Sequence, residues 1–296
     1  MRSRRLCRLF FTSTACLAAF LASQAAAGAS TGSTVSTSPT SGFDNWNCQP
    51  AAAHPEPVVL LHGLGATGPA NFATLGPYLA SAGFCAYAPT YGESIPGIPV
   101  GGLAPIPQSA TQIAAYINQV LAATGATKVD LVGHSEGGFQ ALYGPKFVPG
   151  EAAEVDRVVA LAPPTHGTTL DNLVTVAADF GILPLADTIL TAVTCASCTE
   201  LTSGSSLVTE LNTGAVAQPG IDYTIIASTH DELVTPFGTE FVDEPGVVNE
   251  TVQATCPLDP VGHVGLAFDP DVAELVLNAL DPANPVPVTC SVGAPF

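Results

Sequence analysis

The chain contains few basic residues: seven lysines and arginines stand against 25 aspartates and glutamates in 296 residues. Four of the seven lie among the first eight residues, which leaves Lys128, Lys146 and Arg157 for the rest of the chain. Nucleic-acid binding depends on clustered lysine and arginine, so this composition argues against a nucleic-acid partner. Without residues 1–29 the formal net charge changes from −18 to −22, and such acidity keeps a protein soluble and separated.

The N-terminal region lacks an apolar run long enough to span a membrane as a helix. The run at 9–21 is shorter than the ~20 residues that a spanning helix needs, and three hydroxyl-bearing residues interrupt it. It follows a basic start and precedes small-residue cleavage sites after Ala27 or Ala29, which is typical of a secretory signal peptide. We therefore expect a cleaved signal peptide over 1–29, no stable membrane anchor, and a secreted, extracellular protein.

The chain also lacks an internal repeat and a recognisable boundary between two domains. Residues 30–42, STGSTVSTSPTSG, are low in apolar content, and we expect them to be disordered. The remaining residues, 43–296, are enough for one large α/β domain with a sizeable core.

Short apolar runs alternate with longer segments of helical periodicity along this domain. Strands are predicted at 57–63, 84–92, 128–135, 156–164, 222–229 and 250–256. Helices are predicted at 71–83, 109–125, from Glu136 onward and at 269–280. Buried strands that alternate with helices indicate a mostly parallel sheet with helices on both faces.

One segment, about 165–218, interrupts this alternation because it contains no clear strand. Its part at 170–195 is rich in leucine, isoleucine, valine and alanine and carries only three charged residues. We predict a helical cap or lid insertion here, over an apolar site. Ordinary helices that cover the core are the alternative, because cap helices would also bury one face.

Six cysteines remain after removal of the signal peptide, and an even count in an exported protein favours disulfide bonds. Six cysteines allow 15 pairings. Of these we propose Cys48–Cys85, Cys195–Cys198 and Cys256–Cys290. The C-x-x-C spacing of the second pair also occurs in redox and zinc sites, but the sequence offers neither a second ligand pair nor a thioredoxin-like context.

The segment VDLVGHSEGGFQA (129–141) contains the G-x-S-x-G pattern, in which a serine lies on a sharp turn between a strand and a helix. The apolar residues before the pattern predict the strand, and Gly133 and Gly137 allow the tight turn. A serine in this position is exposed at the C-terminal edge of a sheet, where a base can activate its hydroxyl. We therefore predict that Ser135 is a nucleophile; a structural Gly-Ser turn is the alternative.

The acid and the base of such a site follow the serine in the chain, on loops after later strands. Asp231 lies two residues beyond a predicted strand and is the expected acid, with the adjacent Glu232 as the alternative. Of six histidines, only His263 follows the last predicted strand and precedes the last predicted helix, so it is the expected base. His62 and His134 belong to strand-end motifs, and we expect them to orient their loops.

Two backbone N–H groups are needed to stabilise the negatively charged oxygen that forms in such a reaction, and each typically contributes ~2.7–4 kcal/mol. We expect one from Glu136, which follows the serine, and the other from Leu64 in the glycine-rich segment LLHGLGATG. That segment lacks the G-K-[ST] ending of a phosphate-binding loop. The Glu136 carboxylate is expected to point away and to accept hydrogen bonds from nearby backbone or from the 62–68 loop.

Five motifs follow one another along the chain: LLHGLGATGPANF (60–72), LVGHSEGGFQALYG (131–144), VDRVVALAPPTHGT (155–168), YTIIASTHDELVTP (223–236) and GHVGLAFDP (262–270). In this order they resemble secreted α/β-hydrolase lipases of the actinomycete type, the class 2 lipases, and more distantly the yeast lipase B group. The placement of Cys48, Cys85, Cys256 and Cys290 also matches. Two departures are that the yeast enzymes carry threonine where Leu64 stands, and that many relatives have an acid at Gly262.

The resemblance implies an α/β-hydrolase fold, hydrolysis of carboxylic esters with acylglycerols as natural substrates, and chemistry that needs no metal or cofactor. It also implies the same three catalytic residues, Ser135, Asp231 and His263. We therefore predict a secreted triacylglycerol lipase that acts as a monomer through an acyl-enzyme, on lipid or ester substrates at an oil–water interface. The alternatives are an esterase, a polyester depolymerase or an acyltransferase with the same residues, and a non-catalytic binding protein with this fold.

Overall fold

A computed structural model of the protein describes residues 42–94, 97, 99–169 and 195–293. These residues form a seven-stranded sheet in the order β1-β3-β2-β4-β5-β6-β7, in which all neighbouring strands are parallel. The strands are β1 (Gly42–Phe43), β2 (Val58–Leu61), β3 (Cys85–Tyr87), β4 (Val129–His134), β5 (Val155–Leu161), β6 (Asp222–Ala227) and β7 (Val247–Thr251). Because the strands are parallel, the loops after β2, β4, β6 and β7 all leave from one edge of the sheet.

Helices connect these strands, as the alternating pattern predicts. They are α1 (Gly68–Asn71), α2 (Leu75–Ser81), α3 (Ile106–Thr124), α4 (Glu136–Phe147), α5 (Glu151–Glu154), α6 (Ala196–Glu200), α7 (Ser206–Leu211), α8 (Val252–Thr255) and α9 (Pro270–Leu280). Short 3-10 turns lie at Phe237–Glu240 and Gly265–Ala267. The longest of the described helices, α3, ends at Gly125, which has a left-handed φ of 72° and donates its N–H to the Leu121 carbonyl.

The core lies on both faces of the sheet, because successive side chains of a strand point to opposite faces. Val59 and Leu61 of β2 pack on the face that buries side chains of α3 and α4. Val58 and Leu60 pack on the other face, against α2 and α9. The predicted parallel sheet with helices on both faces is therefore what the described residues form.

Two expectations about strand ends need correction. The strand predicted at 250–256 is β7, which begins earlier, and residues 252–255 are helical because the Thr251 hydroxyl accepts from the Ala254 N–H and starts a turn of helix. Gly42, the last residue of the segment expected to be disordered, lies in β1 and pairs with Cys85. The other residues of that segment and the predicted signal peptide lie outside the described residues.

The segment predicted as a cap is described only in part. Residues 170–194 lie outside the described residues, and the described remainder contains α6 and α7. Disulfide bonds join Cys48 to Cys85, Cys195 to Cys198 and Cys256 to Cys290, which are the three pairs proposed from the sequence. None of the helices formed by the described residues has both the length and the apolar character that crossing a membrane requires.

Candidate active site

The turn between β4 and α4 places Ser135 in a strained backbone conformation, with φ 56° and ψ −120°. The turn is this tight because its flanking glycines approach other backbone closely. A Cβ on Gly133 would lie 2.1 Å from the Gly137 carbonyl oxygen, and one on Gly137 would lie 2.0 Å from the Leu61 carbonyl oxygen. Both positions therefore require glycine for steric reasons, and the strained backbone of Ser135 has the conformation of a nucleophile elbow.

A chain of hydrogen bonds connects Ser135 with the acid and the histidine predicted from the sequence. His263 Nε2 lies 2.8 Å from Ser135 Oγ, and His263 Nδ1 lies 2.6 Å from Asp231 Oδ2. The other oxygen of Asp231 accepts the N–H groups of Leu233 and Val234 at 2.8 and 2.7 Å. Loops after β4, β6 and β7 thus bring together three side chains that lie up to 128 residues apart in the chain.

The charges within the hydrogen-bonded chain Ser135–His263–Asp231 favour an ionised acid beside a basic histidine. Burial lowers the pKa of His263, but the charge and hydrogen bond of Asp231 raise it more, so the net pKa lies above 6.5. Burial raises the pKa of the Asp231 carboxyl, but the charge of His263 and the hydrogen bonds lower it more, so it lies below 3.8. Ser135 itself is only partly buried, so a substrate can reach its hydroxyl.

The backbone amides of Leu64 and Glu136, which lie beside Ser135, have no acceptor among the described residues. Glu136 is the first residue of α4, and the first N–H groups of a helix have no partner within the helix. Leu64 belongs to the turn after β2, and this turn is close to the serine because a Cβ on Gly63 would lie 3.2 Å from the Ser135 Cβ. The two amides expected to bind an oxyanion are thus unpaired at the serine.

The sequence model of the family Lipase (class 2) matches residues 55–274, which is most of the chain. The chain belongs to the class 2 lipase family. A triacylglycerol lipase of Pseudarthrobacter phenanthrenivorans is 51% identical over 47 residues, which are 16% of this chain and 15% of that protein. Lipase B of Pseudozyma antarctica is 28% identical over 216 residues, which are 71% of this chain and 57% of that protein. The chain thus spans less than two thirds of the length of these two relatives.

The fold of the protein is similar to that of a solved structure, lipase B of Aspergillus fumigatus. The TM-score is 0.59 at 20% sequence identity, and the match covers 82% of this chain and 57% of that chain. At this identity the similarity concerns the fold. It confirms the α/β-hydrolase fold predicted from the sequence.

The loop that carries His263 is held by two side chains that are not part of the hydrogen-bonded chain itself. The His263 backbone N–H donates to Glu232 Oε2 at 3.0 Å, and His134 Nε2 donates to the His263 carbonyl oxygen at 2.9 Å. Burial holds the pKa of His134 at about 3, so this histidine is neutral. Glu232 therefore supports the loop that carries His263, beside Gly262.

Glu136 interacts with side chains, so the expectation that its carboxylate accepts from backbone or from the 62–68 loop is wrong. Its side chain is fully buried and contacts the Tyr91 hydroxyl at 2.6 Å and Gln140 Nε2 at 2.8 Å. Tyr91 also lies 2.6 Å from the His62 carbonyl oxygen. Tyr91 has one hydrogen to donate. It donates that hydrogen to Glu136 when the carboxylate is ionised, and to the His62 carbonyl when Glu136 is protonated and itself donates to Tyr91.

The environment of Glu136 favours this neutral form. Burial raises the pKa of Glu136 to about 8, an effect that the hydrogen bonds of Tyr91 and Gln140 only partly offset. A neutral acid adds no negative charge beside the Glu136 amide that is expected to bind an oxyanion, whereas the expected carboxylate would oppose an oxyanion. The side chain thus links α4 through Tyr91 to the backbone that precedes Leu64.

Glu240 also lies beside Asp231, although no sequence motif contains it. Its carboxyl is fully buried in the 3-10 turn after β6, and burial together with the charge of Asp231 holds its pKa well above 4.5. A neutral Glu240 beside an ionised Asp231 places the negative charge on the residue that faces His263. The sequence gives no signal for this, because Glu240 lies in no motif and only the fold brings it to Asp231.

A buried loop, 101–104, supports the turn that contains Leu64. Gly65 donates its N–H to the Gly101 carbonyl at 2.9 Å, and Gly101 donates to the Ala66 carbonyl at 2.7 Å. On its other side this loop is fastened to α6, because Ser197 Oγ donates to the Gly102 carbonyl at 2.6 Å. The Cys195–Cys198 disulfide lies in a small apolar cluster with Leu103 and Leu64, which places the start of α6 beside the site.

Proposed function

We propose that this protein is a serine carboxylic-ester hydrolase, and that its substrates are acylglycerols, as for a triacylglycerol lipase. The observation that carries the proposal is the hydrogen-bonded chain Ser135–His263–Asp231 with two unpaired amides beside the serine. Membership of the class 2 lipase family and the similarity to two named lipases support the choice of substrate.

In the proposed reaction, Ser135 Oγ attacks the ester carbonyl carbon while His263 Nε2 takes the serine proton. Asp231 keeps the imidazole oriented and stabilises its charged form. The amides of Leu64 and Glu136 bind the oxyanion of the tetrahedral intermediate. His263 then protonates the leaving alcohol, and the acyl group remains on Ser135. A water molecule, deprotonated by His263, attacks this acyl-enzyme and releases the acid.

We further propose that the protein is secreted and acts as a monomer at an oil–water interface, with residues 43–296 as the catalytic domain and about 165–218 as its cap. The signal-peptide pattern of residues 1–29 and three disulfide bonds support secretion. The apolar composition of the segment at 170–195 and the contact of Cys195 with Leu103 support a cap close to Leu64.

The test is hydrolysis of p-nitrophenyl esters of increasing chain length and of emulsified triglyceride, by the wild type and by Ser135→Ala. We expect roughly a 10⁶-fold loss of kcat in the variant, as for serine hydrolases generally. Ser205→Ala is the matched control, since this hydroxyl caps α7 instead of contacting His263. Near-normal turnover by Ser135→Ala would refute the assignment.

The same assay separates lipase from its alternatives. Rates that collapse above short acyl chains would replace the proposed lipase by an esterase. Transfer of the acyl group to an added alcohol in preference to water would identify an acyltransferase, and release of soluble products from an insoluble polyester would identify a depolymerase. Failure of a serine-directed phosphonate to label Ser135 would favour the non-catalytic binding protein.

A further inference from the structure

Three buried aspartates come together on the two sides of the loop that carries His263. Asp259 precedes His263 by four residues, whereas Asp269 and Asp271 follow it at the start of α9. Their exposed fractions are 1%, 4% and 0%. One carboxylate oxygen of each lies within 4.8 Å of one oxygen of each of the other two.

Each of these aspartates uses one oxygen for the protein and leaves the other without a partner. Asp259 Oδ1 accepts the N–H groups of Val261 and Gly293 at 3.0 and 3.2 Å. Asp269 Oδ1 caps α9, and Asp271 Oδ1 accepts the N–H and the hydroxyl of Ser291, both at 2.9 Å. The three Oδ2 atoms are buried and have no hydrogen-bond partner among the described residues.

The charge of this cluster is not balanced by a basic side chain. Beyond residue 8 the chain has three basic residues, and all of them lie in the described part. Lys128 pairs with Asp156, and Arg157 pairs with Asp156 and Asp222. Lys146 donates to the carbonyl groups of Leu211 and Thr213. Three buried carboxylates without a counter-charge are costly, because burial removes the hydration of each and the like charges repel.

We propose that Asp259, Asp269 and Asp271 bind one divalent cation, and that Ca²⁺ fits the site best. Ca²⁺ binds carboxylate oxygens at about 2.3–2.6 Å in a flexible arrangement, so three oxygens that all lie within 4.8 Å of one another can share one such ion. Mg²⁺ requires near-ideal octahedral ligands at about 2.0–2.1 Å and usually keeps several of its waters, so a buried set of three carboxylates suits it less. Ca²⁺ also accepts water and carbonyl oxygens in the positions that the carboxylates leave.

This site is outside the proposed catalytic chemistry, and the cation acts on the scaffold. The site connects the segment before His263 with the start of α9. Through Ser291 and Gly293 it also connects both with the C-terminal segment, which the Cys256–Cys290 disulfide holds as well. The cation therefore stabilises the loop that positions His263. The family resemblance implies no metal for the chemistry, and no sequence motif indicates this cluster.

The test is thermal unfolding of the full mature protein in EDTA, in CaCl₂ and in MgCl₂, with calorimetric titration of the chelated protein by Ca²⁺. We expect one Ca²⁺ per chain, and a Tm about 5–10 °C higher at a Ca²⁺ concentration about 100 times Kd. A smaller shift is expected with MgCl₂. Equal Tm values in CaCl₂ and EDTA, without binding heat, would overturn the proposal whatever the enzymatic activity.

The double variant Asp259→Asn/Asp271→Asn locates the cation. Asparagine keeps the accepting Oδ1 and replaces Oδ2 by an amide group, so we expect loss of the Ca²⁺-dependent shift and, in EDTA, a Tm no lower than that of the wild type. Should this variant not fold, Asp271→Asn alone is expected to weaken Ca²⁺ binding at least about tenfold. Asp243→Asn/Glu210→Gln removes two exposed acids and should keep the full shift. A wild-type response in the Asp259 and Asp271 variants would place the cation elsewhere and reject the site.

Discussion

Replacing Glu136 by glutamine tests whether a neutral acid lies beside the amide that we propose binds the oxyanion. In the folded protein its pKa is about 8, compared with 4.5 when it is exposed. The unfolded chain therefore releases this proton near pH 4.5, whereas the folded protein holds it until about pH 8. Each pH unit in this window lowers the free energy of unfolding by about 1.4 kcal/mol, so the loss reaches about 5 kcal/mol at pH 8.

Glutamine has no proton to lose, and its amide can still donate to Tyr91 and accept from Gln140. We expect the free energy of unfolding of Glu136→Gln, relative to the wild type, to increase by up to about 5 kcal/mol between pH 4.5 and pH 8. Other buried acids such as Glu151 are present in both proteins, so their contributions cancel in the difference.

Urea unfolding followed by the fluorescence of the single tryptophan, Trp46, measures this difference at pH 4.5, 6, 7 and 8. Glu210→Gln removes an exposed carboxylate and serves as the control, with a pH dependence parallel to that of the wild type. If Glu136→Gln also runs parallel to the wild type, Glu136 is ionised in the folded protein and the reasoning about Tyr91 fails.

Two further predictions concern the histidine and the elbow. Asp231→Asn should lower kcat about 10⁴-fold. It should also move the acidic limb of kcat/KM, which we expect above pH 6.5 in the wild type, to lower pH, because it removes the charge that raises the His263 pKa. An unchanged limb in a pH–rate profile would contradict this. Gly137→Ala places a Cβ 2.0 Å from the Leu61 carbonyl oxygen and should cost more than about 3 kcal/mol in urea unfolding. Gly238→Ala, whose Cβ has nothing within 4 Å, should change stability by less than about 0.5 kcal/mol, and equal costs would show that the elbow is not tightly packed.

The sequence by itself determined the elements that depend on local pattern. Buried apolar runs alternating with helical periodicity fix the parallel sheet, because a strand buried on both faces has no polar side to expose. The G-x-S-x-G spacing identifies Ser135, since only glycine fits between β2, β4 and α4. Chain order then selects Asp231 and His263, because the ends of parallel strands meet at one edge. Their catalytic roles stay predictions until the variants are assayed.

Only the tertiary structure decided which side chains surround these residues. Tyr91 reaches Glu136 across 45 residues, and Glu232 reaches His263 across 31, in contacts that carry no spacing rule. The ionisation of Glu136 depends on its burial and on its hydrogen bond with Tyr91, and neither can be predicted from the motif GHSEGG. The same holds for Asp259, Asp269 and Asp271, which look like ordinary loop and helix-cap residues in the sequence. The fold buries these three carboxylates together without a basic side chain, and this environment is the reason that we propose a cation site there.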